Sequence, residues 1–382
     1  MNKQDEYEQQ RNEARQRITQ QNLEREAADR EARERREQNK LKAQKSFEKR
    51  KQKTFWETYK DYFAYGALGA VVLFILISNF SGDRRRFSEI PVNEEEYIIA
   101  HNDANPPFKL GTNEFFEGMT LAGVKDISNN RFSTKKTISR CNGKLLDDVV
   151  IPESYNFYKE NPSCRTDEVV SNKCSSSYAE VPISIFRSRT CKAGGDTTFT
   201  PSLGYLFACD TKFNTGCKGG YLANSLEFGM KYGYISEGCW SEIKGGDNEC
   251  PSAEKIKTCT KEYIENFCVY ETVDEIKKEI YKNGPTGSFI FPFRDLLVYK
   301  NGHYEQRDKQ KVDGMVFVKV VGWEADSDGS QYWLIDPLWG RTWGDDGVGR
   351  VLIGTEESLL DQVGIAITPT ALESSEAEAD EA

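Results

Sequence analysis

The side chains able to do covalent chemistry are unevenly supplied: 10 cysteines but only 2 histidines in 382 residues. The stretch "NKCSSSYAEV", Asn172 to Val181, sets Cys174 and then Ser175, Ser176 and Ser177 ahead of an aromatic residue. A hydroxyl or thiol there attacks a carbonyl only if a neighbouring base takes its proton, and imidazole is the usual base. The two imidazoles are His101 and His303, both distant from this stretch in sequence. Metal chemistry has less support still. No CxxC pair occurs and the histidines are too few for zinc spacings, so neither a metal nor a cofactor is expected. All 10 cysteines lie after residue 140. An even number confined to one region reads as a disulfide-bonded domain in an oxidising compartment; reduced, buried thiols are the competing reading.

Those residues must be carried by elements further along the chain. Residues 1–57 contain no Pro and no Gly and are rich in strong helix formers. The apolar residues Ile18, Leu23 and Leu41 are too sparse for a heptad seam. The arm is therefore either a solvated helix laced with i,i+4 ion pairs or a helix lying along a partner protein. Residues 58–83 contain the uncharged run Tyr62 to Gly82, about 21 residues. That length predicts one helical crossing of a hydrocarbon core roughly 30 Å thick. Lys45, Lys49, Arg50, Lys51, Lys53 and Lys60 precede it and Arg84, Arg85 and Arg86 follow. Their excess before the span places the N-terminus on the cytosolic or matrix side. From Glu89 the chain reads as globular, with Gly and Pro punctuating short strands, and residues 371–382 form an acidic tail. A net charge of −10 argues against nucleic acid as a partner.

Around Ser177 the sequence has further landmarks: "IPESYNF" from Ile151, "NPSC" ending at Cys164, "GCKGG" at Gly216–Gly220, "IYKNGPTGSFIFPFRDLLVYKNGHY" from Ile280 and "YWLIDPLWGRTWGDDGVGRVLIG" from Tyr332. In this order and spacing they resemble the papain family of cysteine peptidases, and within it the cathepsin B branch. The resemblance covers about residues 90–370. It implies an α+β, two-lobe fold, a helical lobe facing a β-barrel-like lobe, over residues 149–370. Residues 84–148 resemble the branch's inhibitory propeptide, with Phe108, Lys109, Leu110 and Gly111 where a Trp-x-Ala-Gly signature is usual. Cys174, Ser175, Ser176, Ser177 and Tyr178 fall on the local pattern Cys-Gly-[Ser/Ala]-Cys-[Trp/Tyr].

The family's chemistry uses a cysteine thiolate, a histidine, an asparagine that orients it and a glutamine beside a backbone N–H for the oxyanion. On this resemblance the nucleophile position holds Ser177, the oxyanion Gln position Ser171, the His position Val316 and the Asn position Pro337. All four have changed, which implies a pseudoenzyme with no catalytic residue. Lys319 is three residues beyond Val316, so on a strand it faces the other way. Pro182 falls inside the helix expected to start near Ser177, where it removes a backbone hydrogen bond and predicts a kink.

The resemblance also implies disulfides Cys164–Cys191 and Cys174–Cys217, a tight backbone at Gly219 and Gly220, and a core filled by Trp333, Trp339 and Trp343. Pairings of Cys141, Cys209, Cys239, Cys250, Cys259 and Cys268 stay open. The branch's histidine-bearing insert has no counterpart, since Gly238–Cys259 is short and holds no His. With no nucleophile to cut the Asp147–Pro152 junction in cis, residues 89–148 are expected to stay attached and packed, anchored by Phe108, Phe115 and Phe116. A flexible stalk is the alternative.

The functional expectation is a single-pass, catalytically inactive cathepsin B-like protein acting as an accessory subunit of a membrane assembly. Other subunits would bind its N-terminal helix and its pseudopeptidase surface. The alternative is a membrane-anchored pseudopeptidase of the secretory or endolysosomal pathway that binds peptides or inhibitors. The region beyond the span has no usable N-x-[ST] sequon, Asn161 being followed by Pro162, which favours the mitochondrial inner membrane, within a respiratory assembly. No Arg-rich, acid-poor presequence is visible, so that placement requires an uncleaved anchor.

Overall fold

The computed structural model describes residues 88–131, 138–166, 169–171, 173–241, 249–308, 311–354 and 359–370. The charged arm, the run Tyr62 to Gly82 and the acidic tail lie outside the described residues. Among the described residues no helix is long and apolar enough to cross a membrane.

The chain opens with α1 (Glu95–Asp103), β1 (Phe108–Leu110) and α2 (Leu121–Ile127). Thr120 starts α2 by accepting a hydrogen bond from the Gly123 N–H, satisfying one of the helix's orphan donors. After β2 (Tyr155–Asn156) and α3 (Phe157–Glu160), the longest described helix, α4 (Ser177–Lys192), runs through the molecule. It leads to α5 (Leu203–Cys209), α6 (Leu222–Tyr232), β3 (Tyr234–Ile235), α7 (Ala253–Lys257), β4 (Lys261–Glu262) and β5 (Ile264–Tyr270). Then come α8 (Val273–Asn283), β6 (Thr286–Ile290), α9 (Arg294–Leu297) and β7 (Tyr299–Gly302). The order closes with β8 (Val316–Ala325), β9 (Gln331–Asp336), β10 (Gly349–Leu352) and β11 (Gly364–Pro369).

The main sheet runs β10-β9-β8-β6-β11-β5, antiparallel throughout, with β2 added to β8. Its centre, β8, reads "VFVKVVGW" and its first eight residues are all buried. A strand covered on both faces needs such a continuous run, not alternation. What covers it is α4, which packs on β8 and β11 with one side and on α6 with the other. The α+β, two-lobe architecture is thus a helical layer and a sheet layer sharing one helix. Pro182 lies inside α4 without ending it, so the missing N–H leaves the helix continuous from Ser177 to Lys192.

The N-terminal segment shares this core. Phe108, Phe115 and Phe116 are 1%, 6% and 0% exposed and belong to the same apolar cluster as Trp333, Trp339 and Trp343. Five disulfides tie the chain: Cys141–Cys268, Cys164–Cys191, Cys174–Cys217, Cys209–Cys250 and Cys239–Cys259. No cysteine is free among the described residues.

Candidate functional site

Ser177 is the first residue of α4 and is 2% exposed. Its Oγ accepts a hydrogen bond from the Phe317 N–H at 3.1 Å, which fastens the start of the helix to the start of β8. Val316, one residue earlier, is equally buried and purely apolar. Pro337 follows β9, and the next residue, Leu338, holds φ 59 and accepts at its carbonyl from the Val170 N–H at 2.9 Å. That bond sets the 169–171 segment beside the β9–β10 connection. Ser171, at its end, is exposed, and its Oγ takes the Lys173 N–H at 3.2 Å. One of these bonds, from Phe317, holds Ser177 beside the start of β8, and another, from Val170, sets the segment ending at Ser171 beside Leu338, next to Pro337.

The histidines sit elsewhere. His101 packs on the Phe108 ring with centroids 4.7 Å apart, and burial lowers its pKa. His303 stacks on Tyr332 at 4.2 Å, with Nδ1 3.3 Å from an Asp326 carboxylate oxygen. Glu180, in the first turn of α4, accepts from Ser176 Oγ at 2.9 Å. Lys319 does reach α4, but further along. Its ammonium donates to Ser184 and Ser188 at 3.1 and 2.7 Å. At 1.5 Å of rise per residue those hydroxyls lie roughly 10 Å or more down the helix from Ser177.

Sequence reasoning missed what Lys319 does. Across the β8–β9 pair it faces Asp336, whose carboxylate takes the Tyr158 hydroxyl at 2.6 Å and the Leu338 N–H at 2.8 Å. Burial raises the Asp336 pKa, and the Lys319 charge pulls against that rise. The signal was a lone lysine in an apolar strand and an aspartate closing "YWLID".

The groove between the lobes is crossed by residues 128–131. On the strand side the Met315 N–H donates to Ser128 O at 2.7 Å, and Asn130 Nδ2 donates to Met315 O at 3.2 Å. On the helical side the Arg131 N–H donates to Gly220 O at 2.8 Å, and the Leu222 N–H to Arg131 O at 3.0 Å. Gly219, with φ 106, accepts this passage because a Cβ there would stand 1.9 Å from Asn129 O. Met315 immediately precedes Val316, so the crossing runs past the start of β8. The segment is latched further out as well. Glu94 pairs with Arg294, whose guanidinium lies 3.8 Å above the Tyr97 ring centre, and the Tyr97 hydroxyl donates to Asp308 at 2.7 Å. Phe115 and Phe116 pack on Trp339 at 5.9 and 5.0 Å.

A family model described as "Papain family cysteine protease" matches residues 151–371. "Cathepsin B-like CP2" of Giardia intestinalis is 27% identical over 280 residues, covering 69% of this chain and 89% of that protein. Among solved structures, proCathepsin B S9 from Trypanosoma congolense aligns with a TM-score of 0.64 at 25% identity, over 73% of this chain and 99% of that one. Procathepsin L2 from Tenebrio molitor larval midgut aligns with a TM-score of 0.61 at 18% identity, over 78% and 99%, and shares the fold. The chain belongs to the papain family and has its cathepsin B-like fold.

Proposed function

We propose that this papain-family chain is a catalytically inactive peptidase relative whose groove is closed by its own N-terminal segment. It serves as a structural or accessory subunit of a membrane assembly. The observation that carries the reading is the hydrogen bond from the Phe317 N–H to Ser177 Oγ, beside Val316. A serine hydroxyl needs a base, and among the described residues no His, Lys, Asp or Glu side chain is bonded to it. Loss of both the base and an oxyanion donor removes several kcal/mol of transition-state stabilisation. The groove crossing by residues 128–131 stands against a peptide-capturing role as well, since the crossing takes up the backbone groups of Gly220 and Met315.

Membrane attachment rests on the uncharged run Tyr62 to Gly82, and an oxidising compartment on the five disulfides. The reading places the domain on the far side of the mitochondrial inner membrane from the N-terminal arm. Two measurements test it. Fluorophosphonate and thiol-directed probes should leave Ser177 unlabelled, and peptide substrates should stay intact. Ser177-dependent labelling would overturn the inactivity. Extraction in mild detergent should copurify inner-membrane subunits at fixed stoichiometry, and recovery as a free chain would overturn the accessory role.

A further inference from the structure

The groove segment is joined to the domain twice, once through the backbone and once through Cys141. Downstream of the crossing, Ser139 and Cys141 run beside β5 in parallel. The Cys141 N–H donates to Val269 O and the Val269 N–H to Ser139 O, both at 2.9 Å. Cys141 then bonds to Cys268 of β5, 127 residues away in sequence. Between this attachment and the domain proper, a short 3-10 turn over Gly143–Leu146, pinned by the buried Leu146, leads into a largely surface-lying stretch. Leu145 is 66% exposed and Val150 86%, and Asn142, Lys144, Asp147 and Asp148 are exposed with them. Exposed loop residues of this kind are where proteases cut.

We infer that the Cys141–Cys268 disulfide is a covalent staple that keeps the groove segment, and everything N-terminal of it, bonded to the domain after the backbone is cut between Asn142 and Val150. The inference rests on the reading of the segment as a permanent filler of the groove. Hydrolysis there consumes one water and converts one amide into a carboxylate and an amine; the sulfur–sulfur bond takes no part. The cut domain is then neither opened nor shed. A tethered segment faces its groove at an effective concentration around the millimolar range, whereas a free one is lost on dilution. Cutting at this junction alone therefore cannot act as an activating or releasing step; release needs a reductant too.

The test uses the full-length chain with a site-specific protease sequence inserted between Asp148 and Val149, with and without the paired changes Cys141→Ser and Cys268→Ser. After complete cutting, the parent should run as one species on a denaturing gel without reductant and as two with it. On native gel filtration after dilution it should keep one segment per domain, while the paired variant should lose at least tenfold in retained segment. Two bands without reductant, or equal retention in the paired variant, would sink the staple. If the paired variant does not fold, the gel of the cut parent still decides the covalent link. Peptide hydrolysis by the segment-free domain would overturn the proposed inactivity and leave the staple intact; unlinked fragments would do the reverse.

Discussion

The two ends of α4 make opposite use of polar groups, although they face the same strand. At its start, Ser177 meets β8 through one neutral hydrogen bond to a backbone N–H, beside the apolar Val316. Down the helix, Ser184 and Ser188 receive a buried ammonium from Lys319, which faces a buried carboxylate at Asp336. At the groove end one ionisable group is bonded at the helix terminus, Glu180 through the Ser176 hydroxyl, and among the described residues none is bonded to Ser177 itself. The core end, where ionisable groups are costly, has a connected set. A charge buried with partners destabilises strongly when one partner is removed, so the core set constrains the fold while the groove end tolerates change. The difference separates residues that hold a papain-like fold together from residues that would run its reaction.

Removing Asp336 should break the comparison most severely. Asp336→Ala leaves Lys319 buried beside neutral hydroxyls and should cost about 4 kcal/mol, read as a lower urea midpoint. A loss under about 1 kcal/mol would show that the core charges are incidental. Next comes the seating of the groove segment. Phe116→Ala empties a fully buried site against Trp339 and should cost about 3 kcal/mol. The same change should admit proteases between Glu89 and Asn130; unchanged proteolysis would restore the flexible-stalk alternative.

Ser177→Ala is the milder probe. It strips the acceptor from the buried Phe317 N–H and should cost about 1–2 kcal/mol, with no change in any hydrolytic background. A drop in hydrolysis would mean that Ser177 is a nucleophile after all. The smallest effect concerns pH. Burial pushes the Asp210 carboxyl up to about 6. The folded state then holds a proton that the unfolded chain has released, so this group favours folding in acid and that contribution is lost as pH rises through about 6. From about pH 7 down to about pH 5 the parent should gain roughly 1 kcal/mol relative to Asp210→Asn. A variant with the parent's pH slope would refute that assignment.

The papain-like lobes were legible because short, ordered motifs carry them. The burial of Phe108, Phe115 and Phe116 was legible for a similar reason: large apolar side chains in a polar segment have to be covered. Other features had no local signature. Six cysteines allow 15 pairings, and the choice of Cys268 for Cys141 depends on β5 lying beside residues 139–141. The Lys319–Asp336 pairing depends on the β8–β9 register, which a lone lysine in an apolar run does not specify. Pro182 lies inside α4, and the helix runs on past it to Lys192, packed between sheet and α6.

Residues 139–141 also bear on solubility. Without them β5 would end the sheet with the amide and carbonyl of Val269 unpaired, an edge onto which another chain could add. The Ser139–Cys141 stretch occupies that edge in the parallel sense, and the bond to Cys268 prevents it from peeling away. The same three residues would thus act as a guard against aggregation, keeping this edge from templating a second copy of the sheet.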